Sequence, residues 1–395
     1  MRALTDDDRV WLAAHAGDDP KKLMLKYHGD PQLTWLAMQL ECRRKARGKI
    51  APELIDRLVY PNTLAVEQCT STEIAEAHAR LLECNAPVLD MTCGLGMDSF
   101  SLARKGAMVT ACDLKADNAE TARLNASELG LSTVRVLNEN SLKVLAEAED
   151  GAFQTIIVDP ARRGSGGKRL YSLDDCEPRV ADILPLAAVK ASRLFVKASP
   201  MLDIHDTLQR VAPYHADVHI FGTRTECKEL CLDFIFEGAN QSEPSVTCHT
   251  VGADSFRYRL ADEQDTPCAY SLPAVGSVIY EPFPSVVKGG GFRSLAQASG
   301  LAMLSPQSHL YVAENEEQSF PGTPWKVEAT MSWGKDAIKR VREQWSHISV
   351  ATRGFILDAE SLRKRLKVSE GPGEMKLWGV TAADGTPMLL VGRRL

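Results

Sequence analysis

One stretch limits what this chain can fold into more than any other: Val88-Leu89-Asp90-Met91-Thr92-Cys93-Gly94-Leu95-Gly96-Met97-Asp98-Ser99. Pro87 sets an extended entry, and the apolar pair after it reads as a buried strand. Gly94 and Gly96 permit positive φ and leave the backbone bare. Asp98 or Ser99 can cap a helix running on through Phe100, Leu102 and Ala103. Strand, glycine turn and helix start, in that order, predict an open α/β sheet with a ligand at the carboxyl end of its first strand.

Two ligand chemistries compete for such a turn. A dinucleotide needs G-x-G-x-x-G, so that its pyrophosphate rests on the helix N-terminus. Here Ser99 replaces the third glycine, and the Asp90 carboxylate, four residues before Gly94, suits a cation better than a phosphate. The pattern D-x-x-x-G-x-G resembles motif I of class I S-adenosylmethionine-dependent methyltransferases, whose methyl donor carries an ammonium and a sulfonium and no phosphate.

The segments that follow fit the same sheet. Met108 to Cys112 reads as a second strand ending in Asp113, 19 residues after Gly94, where a ribose-binding acid is expected. Lys115 to Leu129 has helical spacing, and Val134 to Leu137 reads as a third strand. Ile156 to Val158 reads as a fourth, ending in Asp159-Pro160-Ala161-Arg162-Arg163, and Arg193 to Lys197 as a fifth. Val218 to Phe221 and Leu230 to Phe236 suggest a closing antiparallel pair. The resemblance implies that Asp90, Thr92, Cys93, Gly94, Gly96, Asp98, Asp113, Leu114, Asn140, Ser141 and Asp159 line the cofactor site, with Asn140-Ser141 by the adenine. In this fold the Asp159 end of the fourth strand faces the methyl group.

Composition bounds the remaining classes. A chain of 395 residues exceeds what one core usually holds. No apolar run is long enough to span a bilayer, and residues 1–8 lack a signal-peptide core, so a cytoplasmic enzyme without membrane contact is expected. Ten cysteines without a C-x-x-C pair favour reduced thiols and no metal site. Cys227 and Cys231 share a strand face, which packing explains better than metal. The net charge of −6 is uneven: residues 321–395 hold 13 Lys and Arg against 8 Asp and Glu, leaving −11 on the remainder.

Residues 1–84 read as helical, from the spacing of Trp11, Leu12 and His15 and of Leu33, Leu36 and Leu40. Arg43, Arg44, Lys45, Arg47 and Lys49 form a basic run, read as a solvated helix face or as a phosphate-contacting patch. Thr70 and Glu73 fit a capping box, and Thr72 to His78 is similar to a segment that lies over the cofactor in trimethylguanosine synthase. Arg162 to Arg169 is a glycine-rich cationic loop. The stretch 241–275 reads as a linker with short strands, and Gly289-Gly290-Gly291 as a turn. Beyond Pro321, Ile338, Val341 and Trp345 mark one face of a helix, and Lys335, Lys339 and Arg342 another.

The whole chain resembles a family of bacterial class I methyltransferases with a small ferredoxin-like insert and a C-terminal THUMP-like domain. The residues carrying this are Asp90 to Ser99, Asp159 to Arg163, Lys197-Ala198-Ser199-Pro200-x-x-Asp203, Glu226-Cys227-Lys228-Glu229 and Arg353-Gly354-Phe355. The expected organisation is α/β: a helical region (1–84), a Rossmann-like methyltransferase sheet (85–240), a linker plus ferredoxin-like module (241–320) and an α+β THUMP-like domain (321–395). THUMP domains elsewhere deliver RNA to modification enzymes, so the resemblance implies tRNA or rRNA modification. Asp159-Pro160-Ala161-Arg162 is similar to the motif of RNA uracil-C5 methyltransferases, which also need a cysteine at the end of the fifth strand. That place reads Val196-Lys197-Ala198-Ser199-Pro200. The turn 92–98 looks more like that of guanine-N2 methyltransferases, whose acceptor needs no covalent step. Asp159 and Pro160 are then the catalytic pair, and Arg162, Arg163, Lys197, Lys339, Arg342 and Arg353 hold the polymer. A small-molecule or protein methyltransferase, or a non-catalytic cofactor- or RNA-binding module, remains the alternative.

Overall fold

The computed structural model describes residues 1–82, 85–162, 173, 176–236, 243–316 and 319–395. The chain divides into two units, Met1–Ala216 with Leu230–Ser242, and Asp217–Glu229 with Glu243–Leu395.

The first unit opens with helices α1 (Asp6–Ala14), α2 (Pro20–Lys26), α3 (Pro31–Ala46), α4 (Pro52–Ile55), α5 (Thr63–Gln68) and α6 (Thr72–Leu82). Asp30 caps α3 by accepting from the Gln32 and Leu33 amides, with Pro31 preset at the first helical position. Leu36, Ala37 and Leu40 of α3 pack with Leu12 and Leu23. Its Cys42 and Ala46 pack with Leu95 and Met97, so the helical region buttresses the glycine turn.

The alternation then begins: β1 (Pro87–Asp90), α7 (Met97–Arg104), β2 (Met108–Cys112), α8 (Ala116–Glu128), β3 (Val134–Leu137), α9 (Ser141–Glu147) and β4 (Phe153–Val158). A short ribbon of β5 (Ala161–Arg162) and β6 (Cys176–Glu177) follows, then α10 (Val180–Lys190), β7 (Ala191–Ala198), α11 (Ile204–Arg210), β8 (Asp217–Gly222) and β9 (Cys227–Ile235). Strand order in this unit is β9-β7-β4-β1-β2-β3. Only β9 runs antiparallel to its neighbour in that series. Leu89, Ile156 and Leu194 of the central strands are wholly buried, as strands covered on both faces require. The order reverses between β1 and β4, so the crevice for a ligand opens at their carboxyl ends. Arg193 and Asp233 form a bidentate pair across β7 and β9, with Nε to Oδ1 at 2.7 Å.

In the second unit β8 runs parallel to β10 (Ser245–Thr250), which pairs antiparallel with β11 (Phe256–Arg259). The short strands expected within 241–275 are therefore β10 and β11, and they are paired into a sheet. Next come β12 (Val278–Pro282), α12 (Pro284–Gly289), α13 (Phe292–Ser299), β13 (Ala302–Met303), β14 (Tyr311–Ala313), β15 (Gly322–Ser332), α14 (Lys335–Gln344), β16 (Ser349–Arg353), α15 (Ala359–Leu366), β17 (Met375–Thr381) and β18 (Pro387–Arg394). The two expected C-terminal modules share one sheet, ordered β13-β14-β12-β15-β18-β17-β16. Val278 to Pro282 pairs with Lys326 to Gly322, which gives the β12 edge a partner within the unit. The triple glycine is a packing device: a Cβ on Gly289 would lie 2.5 Å from the Cys248 sulfur, and one on Gly291 2.5 Å from the Tyr258 ring. Among the described residues no helix is long and apolar enough to cross a membrane.

Candidate methyl-transfer site

The glycine turn closes as its sequence requires, with Gly94 at φ +54° and Gly96 at φ +91°. Gly96 is the N-cap of α7, so neither Asp98 nor Ser99 caps the helix. Both lie in its first turn and point their side chains into the protein. Ser99 Oγ donates to Asp90 Oδ2 at 2.6 Å, and the Thr92 amide donates to Asp90 Oδ1 at 3.1 Å. Asp90 is 4% exposed, and burial, against these hydrogen bonds, raises its carboxyl to about 7. An acid so placed gains from a cationic ligand that restores its charge.

Asp113 follows β2 and reaches back to the turn. Its Oδ2 accepts from the Gly94 amide and from Asn118 Nδ2, both at 3.1 Å. A Cβ built on Gly94 meets nothing within 4 Å. The turn thus presents an open cradle, with a carboxylate fixed at its lip. This fits a ribose held by Asp113 and a donor ammonium near Asp90. Leu114 is exposed next to Asp113. Cys93 and Cys112 are buried, which pushes both thiols up, Cys112 to about 12. Asn140 caps α9, accepting from the Leu142 amide, and Ser141 is buried in the same helix.

At the end of β4 the Asp159 amide donates to Thr92 Oγ1 at 2.7 Å, which ties the fourth strand to the motif turn. The Asp159 carboxylate is half exposed and lies 3.0 Å from Lys197 Nζ. Pro160 is buried. Lys197, at the end of β7, is 3% exposed and also reaches Asp98 Oδ2 at 3.1 Å and Thr70 Oγ1 at 2.6 Å. Its ammonium is engaged by carboxylates and a hydroxyl, and the expected polymer contact is corrected accordingly. Asp98 accepts further bonds from Thr70 at 2.7 Å and His78 Nδ1 at 2.8 Å. Burial alone would raise Asp98; Lys197 and His78, with the Thr70 bond, outweigh it and hold the carboxyl well below the usual range.

Sequence reasoning missed this network. Thr70 was read as half of a capping box, yet α6 starts at Thr72 and the Thr70 hydroxyl serves Asp98. The one usable signal was the segment ending in His78. The other expected polymer contacts are scattered. The Arg162 side chain, Arg163 and the loop through 169 lie outside the described residues. Lys339 is exposed on α14 and reaches Glu343 at 4.0 Å. Arg342 donates to the Leu366 and Arg365 carbonyls at the end of α15, a structural task in place of the expected phosphate contact. Arg353 pairs with Glu281 at 2.9 Å. The basic run of α3 is also occupied, Arg43 by Asp56, Arg44 by the Asp18 carbonyl and Lys45 by Glu67.

The chain matches a methyltransferase domain over residues 88–161, a ferredoxin-like domain over 279–321 and a THUMP domain-like family over 322–394. It is thus a methyltransferase-fold protein with ferredoxin-like and THUMP-like parts. A crystal structure from Porphyromonas gingivalis W83, described as a methyltransferase candidate, is 27% identical with a TM-score of 0.84, covering 100% of both chains. Among curated proteins, the 23S rRNA (uracil(1939)-C(5))-methyltransferase RlmD of Pseudomonas entomophila is 28% identical over 45% of this chain and 41% of its own length. A ubiquinone biosynthesis O-methyltransferase of Xanthomonas euvesicatoria is 42% identical over 20% of this chain and 31% of its own. The chain spans less than half the length of these curated relatives.

Proposed function

We propose that this protein transfers a methyl group from S-adenosylmethionine to an exocyclic nitrogen of a nucleobase in tRNA or rRNA, guanine N2 being favoured. The observation that carries the reading is the placement of Asp159: its amide is held by Thr92 and its carboxylate by Lys197, at the same carboxyl end of the central strands as Gly94 and Asp113. Bound at that end, the sulfonium donor would supply an electrophilic methyl carbon. Asp113 and the Gly94 cradle bind its ribose side, and Asp90 its ammonium. Asp159 and the Pro160 carbonyl accept the amino hydrogens of the base and so aim the nitrogen lone pair at the methyl. As the N–C bond formed, the bond from the methyl to sulfur would break and S-adenosylhomocysteine would leave, while the proton left on nitrogen would pass to the Asp159 carboxylate and on to solvent. Lys197 keeps that carboxylate in one direction.

RNA is favoured by the THUMP-like match and by the similarity to RlmD, a 23S rRNA methyltransferase. Uracil C5 is disfavoured because β7 ends in Val196-Lys197-Ala198-Ser199-Pro200, with no thiol to attack a ring. A small-molecule acceptor has support from the O-methyltransferase relative, which aligns with only 78 residues. Mass spectrometry of nucleosides from RNA of cells lacking the gene tests all of these. Loss of a methylated guanosine, restored by adding back the purified enzyme with donor, is expected. Loss of 5-methyluridine overturns the atom, and an unchanged profile overturns the substrate class. Asp159→Ala is expected to lower turnover about 10²–10³-fold while retaining S-adenosylhomocysteine binding.

A further inference from the structure

The donor and acceptor ends of the site meet on a single residue. The Thr92 amide donates to Asp90 Oδ1 at 3.1 Å, and the Thr92 hydroxyl accepts from the Asp159 amide at 2.7 Å. Asp90 ends β1 and Asp159 follows β4, yet two hydrogen bonds through Thr92 connect them. The residues on either side of Thr92 are tied elsewhere. The Met91 amide donates to the Ile157 carbonyl at 2.9 Å, and the Cys93 amide to the Cys112 carbonyl at 2.8 Å. With the backbone pinned on both sides, Thr92 passes a change at Asp90 to Asp159 through its own amide and hydroxyl.

A second path closes a ring. Ser99 Oγ donates to Asp90 Oδ2 at 2.6 Å, and Asp98 adjoins Ser99 in the first turn of α7. Lys197 Nζ then links Asp98 Oδ2 at 3.1 Å to Asp159 Oδ2 at 3.0 Å. The Thr92 path ends on the Asp159 amide and the Lys197 path on its carboxylate. Of the two, the Thr92 path is the direct one, and it begins on the acid whose charge a donor changes. Asp90 is 4% exposed, and burial raises its carboxyl to about 7. A donor ammonium that favours the ionised form turns the Thr92 bond into one to a full carboxylate. Hydrogen bonds to ionised acceptors are shorter and roughly twice as strong as neutral ones.

We propose that Thr92 is a positioning residue that couples the two halves of the site: a cationic donor at Asp90 tightens the hold on the Asp159 backbone. The acceptor side is then set once the donor is in place, which gives an order of assembly, donor before acceptor. This rests on the donor reading above and holds whichever acceptor is methylated.

Hydrogen exchange of the single Asp159 amide tests the coupling on wild type alone, with S-adenosylhomocysteine and 5′-methylthioadenosine as probes. Both carry adenosine and sulfur, and only the first carries the amino-acid group with its ammonium. S-adenosylhomocysteine is expected to slow exchange of this amide about tenfold. Methylthioadenosine at saturation should leave it near the rate of the empty protein. Equal slowing by both means that the ligand covers the amide, and overturns the proposal. No slowing by bound S-adenosylhomocysteine overturns it as well. If S-adenosylhomocysteine does not bind at all, the donor reading falls and the coupling falls with it.

Two variants supply the reciprocal measurement, because a coupling between two events acts equally on both. Thr92→Val keeps the amide and the shape and loses the hydroxyl, whereas Thr92→Ser keeps both groups. The valine variant is expected to bind S-adenosylhomocysteine about tenfold more weakly, with methylthioadenosine affinity unchanged. Serine should recover most of the loss. An equal loss for both probes marks a purely structural role and overturns the proposal, as does full S-adenosylhomocysteine affinity in the valine variant. A valine variant that fails to fold leaves the decision to the wild-type exchange rates. Methyl transfer from donor to bulk tRNA, measured alongside, decides the RNA reading separately: its absence removes that acceptor and leaves the coupling standing.

Discussion

Lys197 Nζ lies 3.0 Å from the carboxylate of Asp159 and 3.1 Å from that of Asp98, with its side chain 3% exposed. One buried cation therefore joins the motif helix α7, the end of β4 and the end of β7. Removing it takes the ammonium from buried Asp98 and leaves it with His78 and the Thr70 hydroxyl. Lys197→Met should cost about 3–5 kcal/mol of stability, the usual result of breaking a buried pair from one side. Adding Asp98→Asn should recover part of that loss, because the stranded charge is gone. Urea unfolding of the two variants checks this, and recovery of nothing sinks the pairing argument.

Two carboxyls of the site should give opposite pH signatures. Asp98 lies well below the usual range in the folded state, so its stabilisation is full above about pH 4–5 and is lost as pH falls. Asp90 is raised to about 7, so the folded protein keeps a proton that the unfolded chain has lost above about pH 4. Stability from Asp90 therefore declines as pH rises from about 4 to 7 and then levels. Unfolding curves across pH should be flatter at the acid end in Asp98→Asn, and flatter between pH 4 and 7 in Asp90→Asn.

The same reasoning reaches ligand binding. A cationic donor favours ionised Asp90, so its affinity should rise with pH up to about 7 and its binding should release a proton below that. Calorimetry in buffers of different ionisation enthalpy reads the proton directly. Asp90→Asn should abolish the release and weaken binding; release that persists in this variant would point to another group.

The two turn glycines should fail in different ways. At Gly96 a Cβ would lie 2.4 Å from the Phe100 ring, at φ +91°. Gly96→Ala is expected to destabilise by several kcal/mol through clash and strain together. At Gly94 the space is open, so Gly94→Ala should cost only about 1–2 kcal/mol for its positive φ. It should nevertheless abolish S-adenosylhomocysteine binding, because the methyl fills the cradle. Melting and calorimetry together separate the two.

Arg342 donates to two carbonyls at the end of α15. Arg342→Ala should lower stability by about 1–2 kcal/mol and leave the salt slope of RNA binding unchanged. A flattened slope would return Arg342 to the polymer contacts.

Much of the sheet was legible because it is written locally. Apolar runs bounded by Asp113 and Asp159 end strands where they must, since buried parallel strands admit few polar residues and their ends meet solvent. The glycine turn was legible for the same reason: positive φ at Gly94 and Gly96 is a demand on single residues. The pairing of 245–259 was not: short strands are expected there, but their partners, β8 and each other, follow from packing and not from adjacent residues. Nor was the shared C-terminal sheet, because a break in composition at Pro321 gives no sign that β12 and β15 are hydrogen-bonded neighbours.

By itself, the sequence determined the kind of turn, the acids at the strand ends and hence the class of ligand, because backbone freedom and strand burial are properties of adjacent residues. Only the tertiary structure decided what the charged side chains do. Lys197, expected to hold the polymer, is the partner of two carboxylates 38 and 99 positions away; Arg224, which no motif marks, lines a hollow with Lys288 and Arg353. A charge acts through whatever lies within a few ångströms of it, and in a folded chain those neighbours are chosen by packing, not by sequence order.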